Sequence, residues 1–453
     1  MKSTTKSWLA GLGLMSALAG AKAQQVSSSA PQRITFLEAI QIALKQNLSV
    51  RQAENNLEIA RASANQARQN LLPDFSFSTS GTEQVGQAFN FNTGRLETQT
   101  TRSLSPGVGS SLTLFDANRT RANIASQREQ ANAQTYDVTR ARQTVVFTVA
   151  SDFVALENAR SQLDVQRENL TAQQATLNQI QQFANAGVCP ISDLYQQRAN
   201  VAAAQLQVTQ AERSVEVSKM NLMQALQLDA TKDYDFIAPP IPDVNIERTF
   251  NLDSLVKIAM ARRPDLVADQ ARIAASLEDA RAARAGRLPS VSASFGYNTA
   301  WTSSSDSGFF NQLDQRRGGS ASLRFSLPIF DRGTTRLSQQ RAAIAEENAR
   351  LALANQQQTV AIEIRRAWYD VRSAQQQLVS AGAQQAAAQQ ALDAVQQRYS
   401  VGSSTLFEIT QARNQLVSAQ SALQSARYNL VLTQAVLSYY TGELDPNNVR
   451  LGG

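Results

Sequence analysis

The residues able to do chemistry in this 453-residue chain are few. There is no histidine and one cysteine, Cys189. Without imidazole the commonest general base and metal ligand is missing. Ser-His and Cys-His nucleophile pairs cannot form, and His-bearing zinc sites are excluded. A single cysteine builds no internal disulfide. There is no Gly-rich phosphate loop, and paired acids such as Glu346 and Glu347 read as a solvated helix face. These features argue against an enzyme, a cofactor and a metal centre. What is left is charge at two turns. "NAGVCPISDLYQQRANV" (185–201) sets Asp193 six residues after Gly187 and five before Arg198. "YSVGSSTLFEITQARNQL" (399–416) sets Glu408 six after Gly402 and five before Arg413. Gly402 lies 215 residues beyond Gly187, and Arg413 lies 215 beyond Arg198. On residue type alone each glycine reads as a left-handed helix cap, and each acid as a first-turn complement to the helix dipole. Carboxylates gathered at a constriction would instead bind cations.

The elements that must position these turns are also written twice. "FLEAIQIALKQNLSV" (36–50) matches "LDSLVKIAMARRPDL" (252–266), and "SLTLFDANRTR" (111–121) matches "SLPIFDRGTTR" (326–336). Pro289 falls 216 residues after Pro73, within "RLPSVSASFGY" and "LLPDFSFSTSG". A period this long marks a duplicated domain, not a solenoid. The expected division is a first repeat over 24–228, a linker with Pro239, Pro240 and Pro242 over 229–250, a second repeat over 251–442 and a tail over 443–453. Residues 1–23 read as a signal peptide: Lys2 and Lys6 open it, Trp8 to Ala21 is apolar, and Ala21-Lys22-Ala23 is a small-x-small cleavage pattern. Removal of its three lysines leaves 40 basic against 37 acidic residues, a net charge of +3. So weak an excess does not suggest nucleic acid binding. Gln24, not a cysteine that could carry a lipid, follows the cleavage pattern, which predicts no lipid anchor.

From Ala117 to Ala186 there is neither Gly nor Pro. A helix over most of that span is about 100 Å long. Its apolar stripe recurs every seven residues at Val149, Leu156, Leu163, Leu170 and Leu177, and the returning helix repeats it at Leu194, Val201, Val208, Val215 and Leu222. The second copy follows with Ile364, Val371 and Leu378 outward, and Ile409, Leu416, Leu423, Leu430 and Leu437 on the return. Ala367, Ala374 and Ala381, and then Ala412, Ala419 and Ala426, occupy the other seam position. A strict 3.5-residue period predicts coiled-coil packing. Tyr399 continues this seam, so packing alone would account for it.

Between the helices the period changes to two. Phe75 and Phe77 alternate with serines, Val291, Ala293, Phe295, Tyr297 and Trp301 share one parity, and Ala321, Leu323, Phe325, Leu327 and Ile329 share another. Segments of about 9–11 residues with one apolar face cross a membrane as tilted strands. No run of 18 apolar residues predicts a membrane helix after residue 23. Four strands cannot close a barrel, and a bare strand edge is not tolerated in lipid, so copies of the chain must combine.

On the paired "SLTLFD" and "SLPIFD" segments, the "RLPSVSAS" strand start and the two tip sequences, the chain resembles the TolC outer-membrane channel family over nearly all of its mature length. The resemblance implies a mainly α protein with a membrane β-barrel: a homotrimer with a 12-stranded barrel, four strands per chain, continued by a long periplasmic α-helical barrel. It implies an exit duct for an efflux pump or type I secretion system, partnered by a periplasmic adaptor and an inner-membrane transporter. In such a protein the tips form the gated periplasmic entrance. Glu408 and Gln411 fall on the pore acid positions, only one of them acidic here, and Tyr399 and Asp193 fall on a closure contact. Ser404 stands where a basic gate partner is expected, which implies three negative charges in the ring. Gly187, Val188, Val401, Gly402 and Ser403 would lie in the adaptor-docking tips. Prolines 73, 289 and 328 fall where strands bend into helices, and Thr113 takes the fourth such position. The competing reading is a periplasmic coiled-coil adaptor or a structural rod; an adaptor does not require the duplicated alternating strands, nor a rod the paired tips.

Overall fold

The computed structural model describes residues 32–90, 94–238, 250–305 and 307–443; the expected signal peptide, half of the linker (239–249) and the tail beyond Glu443 lie outside them. The two copies build matching elements. Helices α1 (Phe36–Gln46) and α2 (Leu48–Gln69) answer to α5 (Leu252–Arg262) and α6 (Pro264–Ala285). The 67-residue helices α3 (Arg119–Asn185) and α8 (Thr334–Ser400) answer to each other, as do the 36-residue return helices α4 (Ile191–Leu226) and α9 (Leu406–Thr441). At 1.5 Å per residue each long helix runs about 100 Å.

The heptad seam is the packing surface. Val149, Leu156, Leu163, Leu194, Val208, Val215 and Leu222 are buried, as are Ile364, Val371, Ile409, Leu416, Leu430 and Leu437. Alanines 367, 374, 412, 419 and 426 are buried beside them and let the helix axes approach closely. Helix α3 packs on α4 toward the tip and on α2 and α6 toward the sheet, while α9 packs on both α8 and α3. At the break between these partners a larger core forms around Phe153, which meets Phe36 and Phe236 edge-on. There the short parallel strands β1 (Gln32–Thr35) and β4 (Tyr234–Ile237) pair, a feature without a sequence signal in four residues each. The second copy has its own apolar core, with Leu255, Leu266, Ile364, Val371, Leu430 and Leu437, and Arg263 is almost wholly buried, clamped by Asp265 at 2.6 Å and Glu363 at 2.7 Å.

Strands β2 (Ser76–Asn90), β3 (Arg95–Phe115), β5 (Ser290–Asn298) and β7 (Gly318–Ser326) form one antiparallel sheet in the order β2-β3-β5-β7. β5 and β7 have the expected length, but β2 and β3 reach 15 and 21 residues. The sequence hid the extension because Thr98 to Ser103 is polar throughout and offers no apolar alternation. Trp301 is in the two-residue strand β6 (Trp301–Thr302), off the end of β5, and the loop after it holds a short helix α7 (Phe309–Gln315) that was not anticipated. Pro328 follows the end of β7 at Ser326, whereas Thr113 lets β3 continue through a bulge to Phe115. A proline removes the ladder donor that the threonine keeps.

Cross-strand pairing sorts the sheet into two faces. Val291 opposes Phe325, Ala293 opposes Leu323 and Phe77 opposes Val108. On the other face Ser294 and Ser322 exchange a 2.7 Å hydrogen bond, and Ser292 opposes Arg324. The apolar face is exposed: Phe77, Leu323 and Phe325 each keep more than half of their surface. Among the described residues no helix is long and apolar enough to cross a membrane.

Candidate functional site

Both hairpins reverse through the same backbone motif. After α3, Gly187 takes φ +71°, its N–H bonds Ala184 O at 3.1 Å, and Val188 N–H bonds Phe183 O at 2.9 Å. After α8, Gly402 takes φ +77°, its N–H bonds Tyr399 O at 3.0 Å, and Ser403 N–H bonds Arg398 O at 2.8 Å. This is the Schellman cap, in which a left-handed residue lets two orphan helix carbonyls be satisfied. A Cβ on either glycine would meet open space, so the requirement is one of backbone conformation.

The return helices start differently. Pro190 precedes α4 with no side-chain cap, whereas Thr405 Oγ1 accepts from Glu408 N–H at 3.3 Å. The T-x-x-E spacing of Thr405 and Glu408 is a capping signature readable from sequence. Less readable is the rest of the environment of Glu408. Arg398, in the last turn of α8, places Nη2 3.3 Å from Glu408 Oε2, and Ser404 Oγ donates to the same oxygen at 2.7 Å. Each Glu408 thus carries its own counter-ion, and Ser404 contributes a hydroxyl donor where the resemblance leads one to expect a cation.

Tyr399 sits half-buried where the two tips meet. It packs against the cluster of Leu392, Ile409, Ala412 and Leu416 in its own hairpin and against the cluster of Ile180, Leu194 and Leu406 that joins both hairpins. Burial, then the Asp193 carboxylate, then Cys189 raise the pKa of its hydroxyl. Asp193 is therefore close enough to act on Tyr399 electrostatically, and it accepts from Ser192 Oγ at 3.4 Å. Gln411 is exposed, one turn beyond Glu408.

Polar contacts stitch the hairpins together above the tips. Arg413, buried on α9, donates from Nη1 to Thr176 Oγ1 of α3 at 3.0 Å, and burial lowers its pKa. Asn200 donates to Thr410 Oγ1 at 3.3 Å, and Gln162 donates to Ser421 O at 2.8 Å. The first-copy counterpart of Arg413 has another fate: Arg198 is exposed and donates to Gln181 within its own hairpin at 3.2 Å. Sequence reasoning paired the two arginines and missed this difference. It also missed the exposed apolar side chains beside the docking candidates. Val188 and Val401 are 73% and 77% exposed, and Phe407, Tyr195 and Ile191 project with them.

Two helical hairpins on a sheet whose apolar face looks outward define an outer-membrane channel protomer. The solved structures agree with that fold. The Campylobacter jejuni CmeC outer membrane channel superposes with a TM-score of 0.75 at 20% identity, covering 90% of this chain and 85% of that one. The Vibrio cholerae outer membrane protein VceC gives 0.76 at 18% identity over 90% and 96%. In sequence, the outer membrane protein TolC of Escherichia coli strain K12 is 24% identical over 434 residues, 93% of this chain and 85% of its own length. The chain belongs to the outer membrane efflux protein family, whose model matches it twice, over residues 39–227 and 255–443. It is an outer-membrane efflux channel protein, from a family of channels and not of enzymes.

Proposed function

We propose that three copies of this chain close around a cyclic axis and serve as the exit duct of a tripartite efflux pump or a type I secretion system. One observation carries the assembly: among the described residues the outer strands β2 and β7 each pair on one side only. A bare edge in lipid costs several kcal/mol per unsatisfied group, so β7 of one copy must find β2 of the next. Two copies would give eight strands, a barrel filled by its own side chains. Three give twelve and an open lumen, with the cyclic symmetry that heterologous contacts require. The helices support the same closure. α9 packs along α3 within the chain, and the repeat calls for α4 to lie against α8 in the same way, a contact that the neighbouring copy can supply.

In this reading the six tips of the trimer form the periplasmic entrance. Glu408, Gln411, Tyr399 and Asp193 are its gate residues, and a periplasmic adaptor docks a helical hairpin at Gly187, Val188, Val401, Gly402 and Ser403. The exposed valines at both turns support that docking, since helix-in-groove recognition needs unpartnered apolar anchors. The adaptor in turn couples the duct to an inner-membrane transporter. The duct itself needs no cofactor or metal.

The test is to fractionate cells, look for heat-modifiable trimers in the outer membrane, and measure their conductance in planar bilayers. Trimers with step-like conductance are expected. A protein recovered wholly from the soluble periplasm would overturn the proposal. Sensitivity to drugs, set against export of polypeptides in a deletion strain, separates efflux from secretion.

A further inference from the structure

Strands β2, β3, β5 and β7 each join a helix through a short junction, and the four junctions have related sequences. Two of them carry an exposed apolar pair: Leu114 and Phe115 at one, Ile329 and Phe330 at its repeat, the last two 95% and 85% exposed. Leu72 and Leu288 take the same place at the other two junctions and are more than half exposed. At each junction an arginine stands in the adjoining helix, at a spacing that its repeat keeps. Arg68 and Arg284 stand four residues before Leu72 and Leu288, and Arg121 and Arg336 stand six after Phe115 and Phe330. All four arginines are exposed, and none has a carboxylate partner among the described residues.

The charge is concentrated here. Residues 66–76, 111–123, 282–291 and 326–338 hold seven arginines, no lysine and three aspartates, a net +4. The whole chain after residue 23 carries only +3, so these four short segments hold more than its entire excess. The three aspartates are occupied locally. Asp116 accepts from Thr120 N–H at 2.7 Å, Asp331 from Thr335 N–H at 2.8 Å, and Asp74 from Ser111 Oγ at 2.7 Å. These bonds hold Asp74 and Asp331 below the usual carboxylate range, so both stay fixed as helix and strand caps.

We propose that this belt is a phospholipid-binding girdle: the exposed Leu, Ile and Phe side chains enter the periplasmic leaflet, and the arginines of the adjoining helices bind its phosphate headgroups. The proposal rests on the outer-membrane reading and extends it to the helical side of the barrel. Two observations select this partner. Phe115 opposes Val291, whose other neighbour is Phe325, so it continues the exposed apolar face of the sheet toward the helices, where a bilayer changes from hydrocarbon to headgroup. The guanidinium fork matches a phosphate oxygen pair bidentately, and a cationic belt draws in anionic lipid. A trimer would carry twelve of these repeat-related arginines, four from each chain.

Purified trimers would be exchanged into vesicles of phosphatidylglycerol or of phosphatidylcholine, and lipid retained through detergent washing would be counted by native mass spectrometry. The variants are Arg68→Gln/Arg121→Gln/Arg284→Gln/Arg336→Gln and, as an equal-charge control, Arg198→Gln/Arg213→Gln/Arg365→Gln/Arg366→Gln. Wild type and control should retain phosphatidylglycerol at least tenfold better than the junction variant, and salt should abolish the difference. Unchanged retention in the junction variant, with a reversal potential shifted toward cations, would place these arginines in the lumen and overturn the proposal. If the quadruple variant fails to form trimers, the pairs Arg68→Gln/Arg284→Gln and Arg121→Gln/Arg336→Gln should each show a partial loss; two intact pairs would equally overturn it. Wild-type protein that enters neither vesicle would count against the outer-membrane reading itself.

Discussion

Arg398 Nη2 lies 3.3 Å from Glu408 Oε2, an ion pair that bridges the turn reversing the second hairpin. A carboxylate ring at the mouth would attract cations; a ring of such pairs is close to neutral. Arg398→Gln should uncover Glu408, shift the bilayer reversal potential toward cations and strengthen divalent-cation block. Glu408→Gln should do the reverse. Equal selectivity in both variants would remove the pair from the pore.

Gly187 and Gly402 hold left-handed conformations with room for a methyl group. Alanine there pays backbone strain without a clash, about 1 kcal/mol for each turn. Gly402→Ala should therefore speed limited proteolysis at the tip, with the far ends of the helices unaffected.

Arg413 reaches across the hairpins to Thr176, a neutral partner for a buried cation. Thr176→Val should destabilise the protein by about 1–3 kcal/mol, because it leaves a buried donor unsatisfied. Adding Arg413→Met should restore most of that loss, since removing both members of a buried polar pair is often nearly neutral. Denaturation of the four proteins of this double-mutant cycle measures the coupling.

Asp152, half-buried in the middle of α3, has its carboxyl pushed up to about 6 by burial. In an unfolded chain it titrates near about 3.9. Between those values the folded chain holds a proton that the unfolded chain has released, so this group's contribution to stability grows as pH falls from about 7 to about 4. Asp152→Asn should raise the thermal midpoint at neutral pH, with the gain vanishing at about pH 4. A gain independent of pH would show that ionisation is not its cause.

Arg263 is almost fully buried between Asp265 and Glu363. Arg263→Met should cost on the order of 3 kcal/mol, the penalty for breaking a buried pair from one side. Pairing it with Glu363→Gln should recover part of the loss in thermal denaturation.

Local rules determined much of this protein. The helix spans followed from the seven-residue stripe and, for α3, from a Gly- and Pro-free run, the reversals from two glycines, and the faces of β5 and β7 from strict alternation. Each depends on residues close in the chain, and duplication at a constant spacing checked one copy against the other. The length of β3 was hidden, because its polar half pairs with β2 and has no periodicity to mark it. The tertiary structure alone decided what the paired residues do. Arg198 and Arg413 are equivalent by sequence, yet one is exposed within its own hairpin and the other is buried between two. Glu408 meets Arg398 only because the turn folds the last turn of α8 onto the start of α9. A repeat copies residues and backbone, but burial and counter-ions depend on neighbours, and in one chain α9 packs on both α8 and α3 whereas α4 packs chiefly on α3.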